Sequence, residues 1–360
     1  MNRPLILFGL AGLIVNLALA GSSSSMEPST AEARPDRAAA ALIVGPEQTE
    51  NNCASCHELE AQAWRASRHH LGFTDRHSTD RAKEVLKNMG QRSMKRGDSN
   101  SCRDCHYTSL LSRDRLSPKW GVSCESCHAP AKNWVDVHNK QQGLAEGATI
   151  KWGEGREESL ENHKARMKSS VTAGMLHPSM LYEIASNCLG CHVVPNEAVV
   201  NRGGHLAGSI DFDLVAWSQG EVRHNFLGGS SGSEHGRNAL ASPEKQRMMF
   251  IIGCLVDLEH TTRSLTLVEE EGGRFHKAML DRASRLRTRL ERIAQATERE
   301  EFSEILALLP SQIDASTGVD EEVPTRIAEV ARGLQRDLGE VDLSATDPLL
   351  PSEFKGTPVE

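Results

Sequence analysis

The stretch Gly121-Val-Ser-Cys124-Glu-Ser-Cys127-His128-Ala-Pro130 contains a motif that occurs four times in this chain of 360 residues. Each copy reads Cys-x-x-Cys-His, which is the attachment sequence of c-type haem. The two thiols add to the two vinyl groups of one porphyrin, and the histidine that follows binds the iron as its proximal ligand. The sequence therefore predicts four covalent haem c groups, numbered one to four along the chain. Their ligands are Cys53, Cys56 and His57; Cys102, Cys105 and His106; Cys124, Cys127 and His128; and Cys188, Cys191 and His192.

Paired cysteines also occur in structural zinc sites, in redox dithiols and in disulfides. None of these sites requires a histidine directly after the second cysteine. Histidine accounts for 15 of the 360 residues, so four such histidines would arise by chance with a probability of about 3 in a million. The pattern favours covalent haem over these alternatives.

The composition fits a protein whose core is filled by haem. Aromatic residues make up only 4% of the chain, and porphyrins would supply the large apolar faces that a core needs. We therefore expect a mainly α-helical multihaem c-type cytochrome with few strands. The net charge of −8 argues against nucleic-acid binding. It suits an acidic carrier that is steered towards basic surfaces on its redox partners.

The amino terminus has the features of an export signal. Arg3 precedes an apolar run from Leu5 to Leu19, and Ala18-Leu19-Ala20 has the small-x-small pattern of a cleavage site. We expect a signal peptide over residues 1–20, cleaved after about Ala20, and a periplasmic location. An uncleaved anchor is the competing interpretation and would bring the chain into contact with the membrane.

The rest of the chain divides by composition. We expect a disordered linker rich in Ser, Pro and Ala at 21–48, a tetrahaem domain at 49–230, a helical region at 242–340 and a flexible acidic tail at 341–360. Uneven spacing between the motifs argues against a simple sequence repeat.

The helical region begins with a clear helix start. Ser242-Pro243-Glu244 combines a cap residue, a first-turn proline and an acidic residue. Apolar residues then recur at steps of three and four over 248–265 and again over 279–293, with Gly272-Gly273 between them. This pattern predicts an antiparallel helical hairpin, through which a homo-oligomer is plausible. Cys254 lies inside the first run, where a buried free thiol is expected and an intermolecular disulfide is the alternative.

The sixth coordination position of each iron decides the function. A second histidine there suits electron transfer, whereas an open position lets a small molecule bind and react. His69 lies 12 residues after His57, about 18 Å along a straight helix, so it must serve a different haem if it is a ligand. His205 and His224 follow the last motif and are further candidates. His70, His163 and His260 are expected at the surface, and His276 is expected to pack between the two helices.

Three stretches resemble the cytochrome c-554 family of exported tetrahaem cytochromes. They are Trp64-Arg-Ala-Ser-Arg-His69, the residues 121–130 quoted above and Asn133-Trp-Val-Asp-Val-His138. The resemblance covers about residues 50–225 and implies a mainly helical haem domain. It also implies that His69 caps haem four and that His138 caps haem one.

In that family a histidine downstream of the last motif caps the third haem, and the second haem can be five-coordinate. We favour His224 over His205 as the ligand of haem three. Haem two, bound by His106, is then either open or capped by the other residue of that pair.

Two functions follow from these alternatives. The first is a carrier that passes electrons between redox proteins in nitrogen-compound or anaerobic respiration. The second is an enzyme that acts on hydroxylamine, nitric oxide or nitrite at a five-coordinate haem two. The chain has no Cys-x-x-Cys-Lys site, and Tyr107 and Tyr182 are its only tyrosines. We therefore expect an electron carrier rather than an enzyme.

Overall fold

A computed structural model of the chain describes residues 37–47, 52–96, 101–139, 159–226, 237–314 and 318–359. Helices account for 59% of these residues and strands for 4%, so the prediction of a mainly helical fold with few strands is confirmed. The predicted signal peptide at 1–20 and most of the linker at 21–48 lie outside the described residues. No helix in the described ranges is both long enough and apolar enough to cross a bilayer.

The helices of the region that carries the motifs are mostly short. In chain order they are α1 Arg37–Ala40, α2 Cys53–Cys56, α3 Glu58–Ala66, α4 Arg68–Asp75, α5 Asp80–Asn88, α6 Cys102–His106, α7 Cys124–His128, α8 Val135–His138, α9 Leu160–Thr172, α10 Leu181–His192, α11 Glu197–Asn201 and α12 Leu214–Ser218. A 3₁₀ turn follows α4 at Arg76–Ser78. Several of these helices begin at a side-chain cap, such as Asn52 for α2, Ser67 for α4 and Thr79 for α5.

The carboxyl-terminal helices are longer. They are α13 Pro243–Thr266, α14 Arg274–Thr297, α15 Glu300–Ala307 and α16 Glu322–Asp337, followed by 3₁₀ turns at Leu338–Glu340 and Ser344–Leu349. Helix α13 starts where the sequence predicts, since the Ser242 side chain accepts from the Lys245 N–H and Pro243 occupies the first turn.

One two-stranded antiparallel sheet lies between the second and third motifs. It pairs β1 Thr108–Ser112 with β2 Arg115–Trp120. The two residues of the connecting turn, Arg113 and Asp114, have φ angles of 47° and 59°. Positive φ at both positions is the signature of a type I′ hairpin turn. The β-hairpin occupies most of the chain between His106 at the end of α6 and Cys124 at the start of α7.

The largest hydrophobic core lies in the carboxyl-terminal half. It joins α10 and α12 to α13, α14, α15 and α16, and its fully buried side chains include Leu189, Ile252, Leu255, Met279 and Phe302. In the region that carries the motifs, the two separate clusters have three buried residues each. The described residues before α10 contribute no buried residue to the largest core, whereas α10 and α12 belong to it.

The segment 341–359, which its charge suggests is a flexible tail, contacts the rest of the fold. Leu343 and Thr346 are buried, and Asp347 forms a bidentate ion pair with Arg247 at 2.6 and 2.8 Å. The Lys355 carbonyl accepts from the Glu221 N–H, and the Lys355 N–H donates to the Ala216 carbonyl at 2.8 Å. These contacts hold the segment on the fold because they satisfy backbone groups that charge patterning does not reveal.

Candidate haem-binding site

Each Cys-x-x-Cys-His motif forms a helical turn or the end of a helix. The first three motifs begin α2, α6 and α7, and the fourth ends α10. One helical turn brings residues i and i+3 to the same side, so the two thiols of each motif lie side by side. The eight motif cysteines are free thiols of intermediate exposure. They are therefore available for attachment to a group that lies against them.

Each motif histidine faces one histidine from elsewhere in the chain. The distances between ring centres are 6.1 Å for His57 and His138, 6.3 Å for His106 and His205, 6.2 Å for His128 and His224, and 6.2 Å for His192 and His69. The eight candidate iron ligands thus come together as four pairs.

These distances match the span of two imidazoles on opposite sides of one iron. A metal–imidazole bond is about 2 Å long, so two such ligands place their ring centres about 6 Å apart. Among the described residues, no three His, Cys, Asp or Glu side chains come together as a metal-ion site. The spacing of the paired rings therefore fits an iron held between two imidazoles.

Several of the paired imidazoles are held in the neutral form, which is the form that binds a metal. Burial, with the nearby positive charge of other residues, lowers the pKa of His106 and His192 to about 4. The same causes lower the pKa of His128 and His138 to about 4. Burial also lowers the pKa of His69, although Glu221 acts in the opposite direction.

His69 is positioned by contacts between α3, α4 and the loop before the third motif. The Trp64 indole N–H donates to the Val122 carbonyl at 2.8 Å. Gly121 lies so close to α4 that a Cβ there would meet the His69 carbonyl oxygen at 1.9 Å. A glycine is required at this close approach, which gives a physical role to the first residue of the stretch 121–130.

His138 ends the short helix α8. Its ring packs edge-on against Trp134 at 5.8 Å, and its carbonyl accepts a hydrogen bond from Arg166. Trp134 belongs to a buried cluster with Ala131 and Met175. His138 is therefore fixed by local packing, as His69 is.

His205 and His224 lie in loops rather than on helices. The Nδ1 of His205 bonds the Leu206 carbonyl at 2.8 Å, and that of His224 bonds the Val222 carbonyl at 2.7 Å. Each bond makes Nδ1 the donor and leaves Nε2 for a metal. The loop of His205 is tied to α5, since the Asn88 side chain donates to the Gly203 carbonyl at 3.1 Å.

Two of the motif histidines make the same kind of bond. His128 Nδ1 donates to the Leu176 carbonyl at 2.9 Å, and His192 Nδ1 lies 3.0 Å from the Ser209 hydroxyl. Such partners orient a ligating imidazole and raise its basicity.

The four motifs contact one another in a fixed order. The Cys53 thiol of the first motif lies against the Cys124 thiol of the third, and this contact raises the pKa of Cys53. The third motif is bridged to α10 by Asn187, whose amide donates to the Cys127 carbonyl at 3.0 Å. The Cys191 thiol of the fourth motif lies 4.0 Å from the Asp104 carbonyl of the second. The order of contacts is therefore one, three, four, two.

Glu125, between the two cysteines of the third motif, is a structural residue that the sequence does not identify. Its buried carboxylate accepts the N–H groups of Val44 at 2.9 Å, Gly45 at 2.7 Å and Ala131 at 2.7 Å. Burial raises the pKa of Glu125, while these three bonds act in the opposite direction. Residues 44 and 45, which composition assigns to a disordered linker, are thereby held against α7.

The remaining histidines have other surroundings. His260, which the sequence places at the surface, is buried in α13 and bonds the Ser186 hydroxyl at 2.9 Å. The expectation was wrong because α10 covers this face of α13. His276 is buried and accepts the Gly272 N–H at 2.9 Å. His70 packs edge-on against Trp64 at 4.4 Å.

Comparisons with known proteins agree with the resemblance seen in the sequence. Residues 52–129 match the family model described as cytochrome c554 and c-prime. A cytochrome c-554 of Nitrosomonas europaea is 27% identical over 101 residues, which cover 26% of this chain and 43% of that protein. The match thus spans less than half the length of this relative. No solved structure was found that matches the chain. The predicted resemblance is confirmed for this segment.

Proposed function

We propose that this protein is a tetrahaem c-type cytochrome that carries electrons between redox partner proteins. The observation that carries the proposal is the pairing of every motif histidine with a second imidazole at 6.1 to 6.3 Å. The residues would bind four haem c groups through the eight motif cysteines. A haem iron supplies reversible one-electron exchange between its ferric and ferrous forms.

The four pairs indicate which residues would hold each iron. His57 and His138 would hold the iron of haem one, His106 and His205 that of haem two, His128 and His224 that of haem three, and His192 and His69 that of haem four. Held by two imidazoles, each iron would offer no position for a substrate and would be suited to electron transfer. His205, the weaker candidate for haem three by sequence, would then bind the iron of haem two opposite His106.

The order of contacts between motifs supports a continuous path. Cys53 and Cys124 connect motifs one and three, Asn187 connects motifs three and four, and Cys191 connects motifs four and two. Motifs one and two stand at the ends of this series. We infer that the donor and the acceptor exchange electrons with the protein at these two ends.

The location and the pathway are inferred from the sequence alone. The export signal proposed for residues 1–20 would place the carrier in the periplasm, and the resemblance to the cytochrome c-554 family suggests nitrogen-compound or anaerobic respiration. The net charge of −8 favours partners with basic docking surfaces, since opposite charges steer association. A homo-oligomer through α13 and α14 stays a prediction.

The competing function is catalysis on hydroxylamine, nitric oxide or nitrite at an open haem two. The pair His106 and His205 argues against it, because the second imidazole would occupy the position that a substrate needs.

Electron paramagnetic resonance of the oxidised protein separates the two functions. The carrier predicts only low-spin ferric signals, which nitric oxide leaves unchanged at short exposure. A high-spin ferric signal that nitric oxide removes would overturn the proposal in favour of the enzyme.

A further inference from the structure

Ser209 occupies an unusual position between the fourth motif and the carboxyl-terminal helices. Its hydroxyl lies 3.0 Å from Nδ1 of His192, and its N–H donates to the His192 carbonyl at 2.8 Å. Its own carbonyl accepts from Nη1 of Arg282 at 2.7 Å. All three polar groups of Ser209 are therefore engaged, two with the motif histidine and one with α14.

The turn before Ser209 is shaped for this contact. Gly208 has a φ of +81°, and a Cβ there would lie 2.8 Å from the His192 carbonyl oxygen and 2.9 Å from that of Val193. A side chain at this position would both strain the backbone and push the loop away from α10. Glycine lets Ser209 reach the imidazole.

Arg282 is itself held by a buried ion pair. Its Nε and Nη2 atoms donate to the two carboxylate oxygens of Asp257 on α13 at 2.6 and 2.8 Å. The side chains of Arg282 and Asp257 are 4% and 6% exposed. A two-pronged pair of this kind fixes the guanidinium plane, so its remaining Nη1 points at the Ser209 carbonyl in a set direction.

We propose that Ser209 is a positioning residue that sets the redox potential of haem four, and that α13 and α14 hold it in place through Asp257 and Arg282. This inference rests on the proposed function, since it requires a haem on Cys188–His192. It assigns a task to the carboxyl-terminal helices, which lie outside the matched residues 52–129.

The hydrogen bond between His192 and Ser209 determines the direction in which the redox potential changes. If Nε2 of His192 binds iron, Nδ1 carries the hydrogen and donates a hydrogen bond to the Ser209 hydroxyl oxygen. An acceptor at this position raises the basicity of the imidazole, which stabilises ferric over ferrous iron and lowers the potential. Removing the acceptor should therefore make haem four easier to reduce.

The test is a spectroelectrochemical titration of the intact holoprotein and its variants. In Ser209→Ala we expect one couple to move upward, with a two- to tenfold rise in its ferrous-to-ferric ratio at fixed potential, the size of a neutral hydrogen bond. For a one-electron couple a tenfold change equals 59 mV. The couple that moves should be the one whose low-spin signal is lost in His69→Ala. Ser209→Thr, which keeps the hydroxyl, should leave all four couples in place.

A second pair of variants tests the role of α13 and α14. Arg282→Lys retains a charge beside Asp257 but loses the fork that reaches Ser209, and it should shift the same couple in the same direction. Arg287→Lys is the control, because Arg287 also lies on α14 and also bonds a carbonyl, that of Leu306 at 2.9 Å. If Arg282→Lys does not fold, the double variant Asp257→Leu with Arg282→Met replaces the buried pair by apolar side chains, which is often tolerated.

The possible results distinguish the role of Ser209 from the role of the helices. Unchanged potentials in Ser209→Ala, or an equal shift in Ser209→Thr, would overturn the role of Ser209. Folded Arg282 variants that behave like Arg287→Lys would overturn the role of the helices. A wild-type protein without haem on the fourth motif would instead refute the proposed function before any variant is measured.

Discussion

His69 and His70 are adjacent on α4 but have different surroundings. The ring of His69 lies 6.2 Å from that of His192, whereas His70 packs against Trp64. We predict that His69→Ala removes one imidazole from one iron. One of the four low-spin signals should become high-spin while the thioethers keep the haem attached. His70→Ala is the matched control and should retain all low-spin signals. Unchanged spectra in His69→Ala, or equal losses in both variants, would contradict the assignment of His69.

The sequence identifies individual functional residues only where they occur in a motif of fixed spacing. The motif cysteines and histidines are visible in this way, and His69 and His138 become visible through the resemblance. The histidine that faces His106 cannot be identified in this way, because the sequence around His205 and His224 does not indicate which motif each of them faces. Ser209 and Glu125 carry no local signal, since Ser209 is held by Arg282 and Glu125 by Val44, which lie 73 and 81 residues away in the sequence.

At the level of helices, two glycines allow a paired prediction. Gly253 lies inside α13, where a Cβ would meet Leu214 Cβ at 2.8 Å, whereas Gly333 in α16 has nothing within 4 Å of the same point. Replacing a helical glycine by alanine gains about 1 kcal/mol in propensity, but overpacking a core costs about 1–3 kcal/mol.

We therefore predict that the two substitutions change the stability of the protein in opposite directions. Gly253→Ala should lower the free energy of unfolding by about 1 kcal/mol, and Gly333→Ala should raise it by about 0.5–1 kcal/mol. Urea unfolding followed by circular dichroism measures both. A stabilised Gly253→Ala would show that α12 and α13 are not closely packed at this point.

Helices and strands can be predicted from the sequence where their local sequence signals are strong. Helix α13 has a cap, a first-turn proline and a long apolar repeat, and the structure begins it at Pro243 as the sequence predicts. Strands β1 and β2 were not predicted, because their turn uses Arg113 and Asp114 in place of the glycine or asparagine that usually marks a type I′ turn. The ordered segment 341–359 depends on distant partners such as Arg247 and Glu221, which no local pattern reveals.

For the whole molecule, the buried histidines set a dependence of stability on pH. His106, His128, His138 and His192 have a pKa of about 4 in the fold, below the ordinary value of 6.5. Between these values the unfolded chain binds more protons than the folded one, so the free energy of unfolding falls as the pH is lowered. Ligation of these imidazoles to iron would act in the same direction.

We predict that urea unfolding at a series of pH values shows stability that is greatest above pH 6.5 and that decreases steadily towards pH 4. Circular dichroism reports the helices, and the haem absorbance reports loss of the axial imidazoles. A free energy of unfolding that is flat or rises as the pH falls from 6.5 to 4 would contradict the burial of these rings in neutral form.

Every iron ligand proposed for this protein requires four haem groups bound covalently to one polypeptide. The intact mass of the purified protein, measured under denaturing conditions that remove non-covalent ligands, tests this directly. We predict the mass of the mature chain plus four haem groups. A mass that corresponds to the polypeptide alone, or to fewer than four haem groups in fully matured protein, would contradict it.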